Sequence, residues 1–159
     1  MTFPVTAPEA QSPMPNETSF PSPAAGYRFA RPGHRPISFS GSLLAMSMSF
    51  TPEIPYWYEL NIFRTDRQSF VLVLKLFFQS EEEEDYTKAW EFDTLAEVFD
   101  ALEGYDAAED IKVKIPDFDS LCPAELAVYA AQFQAQIEAR RSHWASLVGE
   151  LLSELDTAA

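Results

Sequence analysis

Catalysis near neutral pH needs a nucleophile, a base or a bound metal, and this chain offers few side chains for any of them. Its one cysteine, Cys122, stands directly before Pro123, where a helix is predicted to begin. The positive end of a helix dipole stabilises a thiolate, which makes Cys122 a candidate nucleophile if a histidine stands by to take its proton. None is near it in sequence. His34 lies in a proline-rich stretch, and His143 sits on a predicted helix beside Trp144 and close to Arg141; neither has a partner at the spacing of a catalytic triad or a zinc site. There are only 5 glycines and no phosphate-cradling, dinucleotide-binding or nucleophile-elbow motif. Paired carboxylates doing acid–base work need burial to drive their pKa values apart, whereas the acids here cluster in turns and exposed positions. Cys122 is therefore read as incidental and the protein as not an enzyme, with no cofactor and no metal assigned.

What the chain has instead is localised charge. The formal net charge is −14, and residues 81 to 110 hold thirteen Asp and Glu against a single base, Lys88, so this segment alone carries −12. The acids are Glu81, Glu82, Glu83, Glu84, Asp85, Glu91, Asp93, Glu97, Asp100, Glu103, Asp106, Glu109 and Asp110. Three uses compete. Such runs solubilise a protein and keep a sheet edge from aggregating. A concentrated field also steers association and selects partners of opposite sign. The run Glu81 to Asp85 does not match a calcium loop, which alternates oxygen ligands and turns on a glycine, so any cation affinity there is weak. The reading carried forward is a docking surface for a basic protein, an inhibitor or adaptor. It uses Glu81, Glu82, Glu83, Glu84, Asp85, Glu97, Asp100, Glu103, Asp106, Glu109 and Asp110. In its sharpest form it is nucleic-acid mimicry, carboxylates standing in for phosphates in the groove of a nucleic-acid-binding protein, since a duplex carries one charge per ~1.7 Å of axis. Direct binding to nucleic acid or to an anionic membrane is excluded by the sign of the charge.

The elements that would present this surface follow from periodicity. Residues 1–35 are rich in Pro, Ser, Thr and Ala without a period, and are expected to be a disordered tail. Phe3, Phe20, Tyr27 and Phe29, with Ser-Pro pairs at Ser12 and Ser22, give that tail the makings of a docking motif. From Pro36 to Ala159 one domain is expected, which suits the 159-residue length. A strand is predicted near residues 37–50. "YWYELNIFRT" alternates Tyr56, Tyr58, Leu60 and Ile62 against Trp57, Glu59, Asn61 and Phe63, as a strand with one buried face does. "FVLVLKLFFQ" is apolar on both faces apart from Lys75, so both sides must be covered, by the first strand, the tail or a partner. "YTKAWEF" returns after the acidic turn.

"TLAEVFDALEG" is a short helix: Thr94 and Glu97 form a capping box, Leu95, Val98, Phe99 and Leu102 make one apolar stripe, and Gly104 stands where a left-handed residue ends a helix. "IKVKI" reads as a short edge strand with outward lysines. A long helix then starts at Pro123, its apolar residues Leu126, Ala130, Phe133, Ile137, Trp144, Val148, Leu151 and Leu155 recurring at threes and fours. Its length exceeds what a small sheet can cover, so part of it must meet its own first half, another protein or a second copy in a homodimer. Trp57, Tyr58, Trp90 and Trp144 are read as core aromatics before a ligand cage.

The expected fold is α+β, a four- or five-stranded mostly antiparallel sheet in the order β-β-β-β-α-β-α with both helices on one face. The lone cysteine and the lack of a basic, apolar leader place the chain in the cytoplasm, and the serine-broken "ISFSGSLLAMSMSF" is too short to cross a bilayer. A rival function keeps the acids for solubility alone and makes the protein an accessory or scaffold subunit, held by its long helix and apolar sheet face.

Overall fold

The computed structural model describes residues 25–112 and 117–158. Five antiparallel strands follow one another in space as in sequence: β1 (Ala25–Arg31), β2 (His34–Met48), β3 (Tyr56–Thr65), β4 (Phe70–Phe78) and β5 (Tyr86–Phe92). Two helices follow, α1 (Leu95–Gly104) and α2 (Pro123–Ala158). The fold is α+β, with the short and the long helix packed on one face of an antiparallel sheet. Short turns set this meander, since antiparallel neighbours need only a hairpin between them.

The strand count comes from an unexpected place. Residues 25–35, read with the tail, form β1 and the start of β2, paired from Ala25 opposite Gly41 to Arg31 opposite His34. Pro32 and Gly33 make the hairpin turn, with Gly33 at φ 76°, and Tyr27 and Phe29 alternate with Gly26, Arg28 and Ala30 just before it. The expectation for residues 1–24 lies outside the described residues. Of the edge strand predicted at "IKVKI", Ile111 and Lys112 are irregular, and residues 113–116 lie outside the described residues.

The helix face buries Tyr58, Leu60 and Ile62 of β3 and Leu72, Leu74 and Leu76 of β4 against Val98 and Leu102 of α1 and Trp144, Leu147, Val148 and Leu151 of α2. The other face is covered by the sheet itself, which curls until β1 lies alongside β5. Ile37, Phe63, Val71, Val73 and Ala89 are packed there against Tyr27, Phe29 and Phe39. Rings of Tyr27 and Phe39 sit 4.6 and 5.3 Å from that of Phe63. This explains why β4 is apolar on both faces, and Lys75 is answered across the strands by Glu59 at 3.0 Å.

Curling requires β2 to bend, and two features bend it. Its register with β3 shifts between Leu43 and Ala45, a bulge that increases twist. At Gly41, paired on both sides, a Cβ would lie 2.1 Å from the Arg64 carbonyl oxygen. Backbone cannot yield as a flexible side chain can, so Gly41→Ala is expected to cost about 1–3 kcal/mol, the usual range for overpacking. Urea unfolding should show a lower midpoint with an unchanged slope.

α1 begins as predicted, with both hydrogen bonds of the Thr94–Glu97 capping box formed. Its end differs. Gly104 is the last helical residue and not left-handed; extended Tyr105 stops the helix and turns its ring inward, 4.7 Å from Trp144. α2 is continuous over 36 residues, about 54 Å at 1.5 Å per residue. No residue from Pro123 to Ala139 is buried, and the first buried one is Arg140. The helix thus does not fold back on itself: its second half covers the sheet and its first half projects.

Candidate functional site

The acidic segment divides into carboxylates the fold uses and carboxylates it leaves outside. Asp110 leaves the surface altogether. The 3-10 turn Ala107–Asp110 carries it under the helices, where its side chain is 1% exposed. It accepts hydrogen bonds from Tyr58 Oη at 2.9 Å and Tyr105 Oη at 2.6 and 2.7 Å, and pairs with Lys88 Nζ at 2.9 Å. Burial pushes its carboxyl pKa up, but the neighbouring Tyr105 and Tyr86 hydroxyls and the Lys88 ammonium more than offset this and hold it below the ordinary value. Tyr86 Oη faces the carboxylate without reaching hydrogen-bond geometry, and is the one buried side-chain polar atom among the described residues without a partner. Asp106 is also spent. It holds Arg141 through two hydrogen bonds, of 2.6 and 3.0 Å, and its pKa falls to about 2, first through that guanidinium and then through the Ala108 amide.

Both residues therefore drop out of the predicted docking set, because a carboxylate already neutralised by Lys88 or Arg141 offers little field to a partner. The remaining nine stay outside. Glu81, Glu82, Glu84 and Asp85 are exposed in the β4–β5 turn and Glu83 is half-buried there. Ser80 Oγ accepts from the Glu82 amide, and the Asp85 carboxylate accepts from the Phe78 amide at 2.8 Å, which fixes the turn. Glu97, Asp100 and Glu103 lie exposed along α1, and Glu109 is exposed just before Asp110. With Glu91 and Asp93 beside them, eleven carboxylates of the segment have no ion pair among the described residues. Lys112, a base that would have cancelled the field, is exposed without an ion pair among the described residues, and Lys114 lies outside them.

The buried partners of Asp110 form a second cluster that sequence patterns do not mark. Arg140 places its guanidinium 3.5 Å from the centre of the Tyr56 ring and donates Nη1 to Tyr58 Oη at 3.3 Å. Tyr56 Oη and His143 Nδ1 are 2.7 Å apart. Burial raises the pKa values of Tyr56 and Tyr58, so neither hydroxyl is a base at neutral pH. The one available signal was the pairing of a charged helix position, Arg140, with tyrosines at alternate positions of one strand. Its spacing matches no named motif.

Cys122 is exposed at the first turn of α2, where its amide donates to Glu125 Oε2 at 2.9 Å. Of the four aromatics considered as a cage, Tyr58 and Trp144 pack edge-to-face at 5.3 Å in the core, and Trp57 lies on the opposite face, 5.3 Å from Phe77. Among the described residues no group of three or more His, Cys, Asp or Glu converges to hold a metal, and no helix is long and apolar enough to cross a membrane.

The fold and surface define an α+β protein with a charged edge and a projecting helix. A scan against protein-family models finds no match, and neither a curated protein nor a solved structure matches the chain. Function must then be argued from the chemistry of the sites themselves.

Proposed function

We propose that the protein is a non-enzymatic, cytoplasmic interaction protein, an inhibitor or adaptor. It docks a basic protein surface through Glu81 to Asp85 and the exposed acids of α1, Glu97, Asp100 and Glu103, with Glu109 beside them. The supporting observation is the division just described: among the described residues only two of the thirteen carboxylates, Asp106 and Asp110, are held in ion pairs. The turn that carries five of them is held by hydrogen bonds to its own backbone and is fixed in place, so a partner need not order it on binding. A basic groove that normally holds phosphates is the partner surface such an array suits best.

A second reading has its own support. The exposed first half of α2, together with Leu43, Met46 and Met48 of β2 and Phe50 just past it at 45–52% exposure, presents apolar area that a scaffold contact or a second copy would cover. One experiment separates the two. The full chain and a variant with Glu81 to Glu84 changed to Gln and Asp85→Asn are used to capture partners from native lysate at ~50 and ~500 mM salt. Asn at 85 keeps an acceptor for the Phe78 amide, so the turn survives. Charge-steered docking is lost in the variant and at high salt, where the screening length shrinks to a few ångströms. Retention in both cases would assign the contact to the apolar surfaces and remove the acidic face from the mechanism.

A further inference from the structure

Arg140 is 7% exposed, yet among the described residues no carboxylate lies within ion-pair distance of it. Among the described residues its one hydrogen bond is the 3.3 Å donation to Tyr58 Oη, against five N–H donors in a guanidinium. The nearest buried acid, Asp110, is already engaged by Lys88, Tyr58 and Tyr105. Lys88, Asp110 and Arg140 therefore sum to one positive charge in excess. Leaving a buried cation without an anion costs stability, and such sites persist where the charge has a use.

Arg140 lines a cleft of about 410 Å³ at the base of the projecting half of α2. Ile54, Phe78 and Ile111 supply apolar wall, Tyr56, Gln136 and His143 line it beside Arg140, and Lys112 stands exposed at its rim. Tyr56 Oη and His143 Nδ1, 2.7 Å apart, bring a hydrogen-bonded polar pair to the same lining. Glu53 and Glu83 also border it, one exposed and one half-buried. The volume falls in the range of small-molecule sites, mostly apolar with a few convergent polar groups.

We propose that this cleft binds a small monoanionic carboxylate with an apolar body, the carboxylate on Arg140 and the body against Ile54, Phe78 and Ile111. A carboxylate matches the planar fork of a guanidinium in two parallel hydrogen bonds. Ile54, Phe78 and Ile111 favour a ligand with one charged end, and Glu53 and Glu83 together outweigh the Lys112 ammonium at the rim and so repel a second negative charge. The proposal is independent of the acidic docking face, with which it shares only Glu83.

The test uses the full chain, labelled for amide NMR and titrated with benzoate, with benzylamine and inorganic phosphate in parallel. Benzoate should give saturable shifts at Ile54, Tyr56, Ala139 and His143, benzylamine none, and phosphate at least tenfold weaker binding. Unsaturable or scattered benzoate shifts, or equal binding of phosphate, would overturn the assignment. Two variants distinguish a ligand-binding arginine from a structural one. Replacing both Glu53→Gln and Glu83→Gln touches no core contact and should tighten benzoate about two- to fivefold at low salt by removing two like charges; unchanged or weaker binding sinks the proposal. Arg140→Met should lose benzoate binding at least tenfold while the melting temperature holds or rises, as when an unpaired buried charge is replaced by an apolar chain. If Arg140→Met retains benzoate binding, the arginine is not the anchor and the proposal fails. If that variant does not fold, the Glu53/Glu83 pair decides alone.

Discussion

Asp110→Ala is expected to destabilise the protein by about 3–5 kcal/mol, a large share of what a domain this size has. The carboxylate is the common acceptor for two inward hydroxyls, Tyr58 and Tyr105, and each buried donor left unsatisfied costs roughly 1–3 kcal/mol. Lys88 adds less, because its side chain is 36% exposed and can turn to water. Asp110→Asn keeps one acceptor oxygen and should cost about half as much. The pH dependence has a defined sign. The folded pKa is lowered, so this group's contribution is complete above the ordinary carboxylate value of 3.8 and disappears as pH falls through the lowered folded value. Urea midpoints from pH 7 down to pH 2 should therefore drop more steeply below pH 4 in the wild type than in Asp110→Asn. Parallel curves would show that the cluster contributes nothing ionic to stability.

Trp144→Ala should be comparably severe, about 3–5 kcal/mol, the usual range for removing a buried tryptophan. The indole is 6% exposed and touches three parts of the structure at once. It packs edge-to-face on Tyr58 of β3, lies against Tyr105, and donates Nε1 to the Leu102 carbonyl at 3.1 Å, at the end of α1. Its loss would open a void between α2 and the sheet and orphan that carbonyl. Because Tyr105 also feeds Asp110, the Trp144 and Asp110 substitutions should be non-additive, with a double-mutant coupling of about 0.5–3 kcal/mol. Trp144→Phe, which keeps an aromatic ring but gives up the hydrogen bond and part of the ring volume, should recover part of the stability. Thermal unfolding of the four variants measures all of this.

Trp144 lies on a helix whose existence local sequence dictates, whereas Asp110 lies on a 3-10 turn that no local pattern marks. β3 and β4 are legible because alternation and double apolarity permit nothing else over nine or ten residues, and α1 because Thr94 and Glu97 can both bond its first turn. β1 was hidden by composition: its seven residues follow a proline-rich stretch that outweighs the alternation of Tyr27 and Phe29. The Pro32-Gly33 turn, with an aromatic alternation before it, was the available clue.

The candidate sites divide along the same line. That the charge is concentrated within residues 81–110 is a property of the sequence, because counting needs no coordinates. Which acids remain available to a partner is decided by tertiary structure. Asp106 meets Arg141 from 35 positions away and Asp110 meets Tyr58 from 52 away, and no local pattern encodes contacts at such separation. The same holds for Arg140, which reads in sequence as a charged helix position like its neighbour Arg141. Only the packing of α2 over β3 turns one guanidinium into the interior and leaves the other in water. Periodicity specifies which face of an element is buried, whereas the partners that buried polar groups find depend on where distant elements cross.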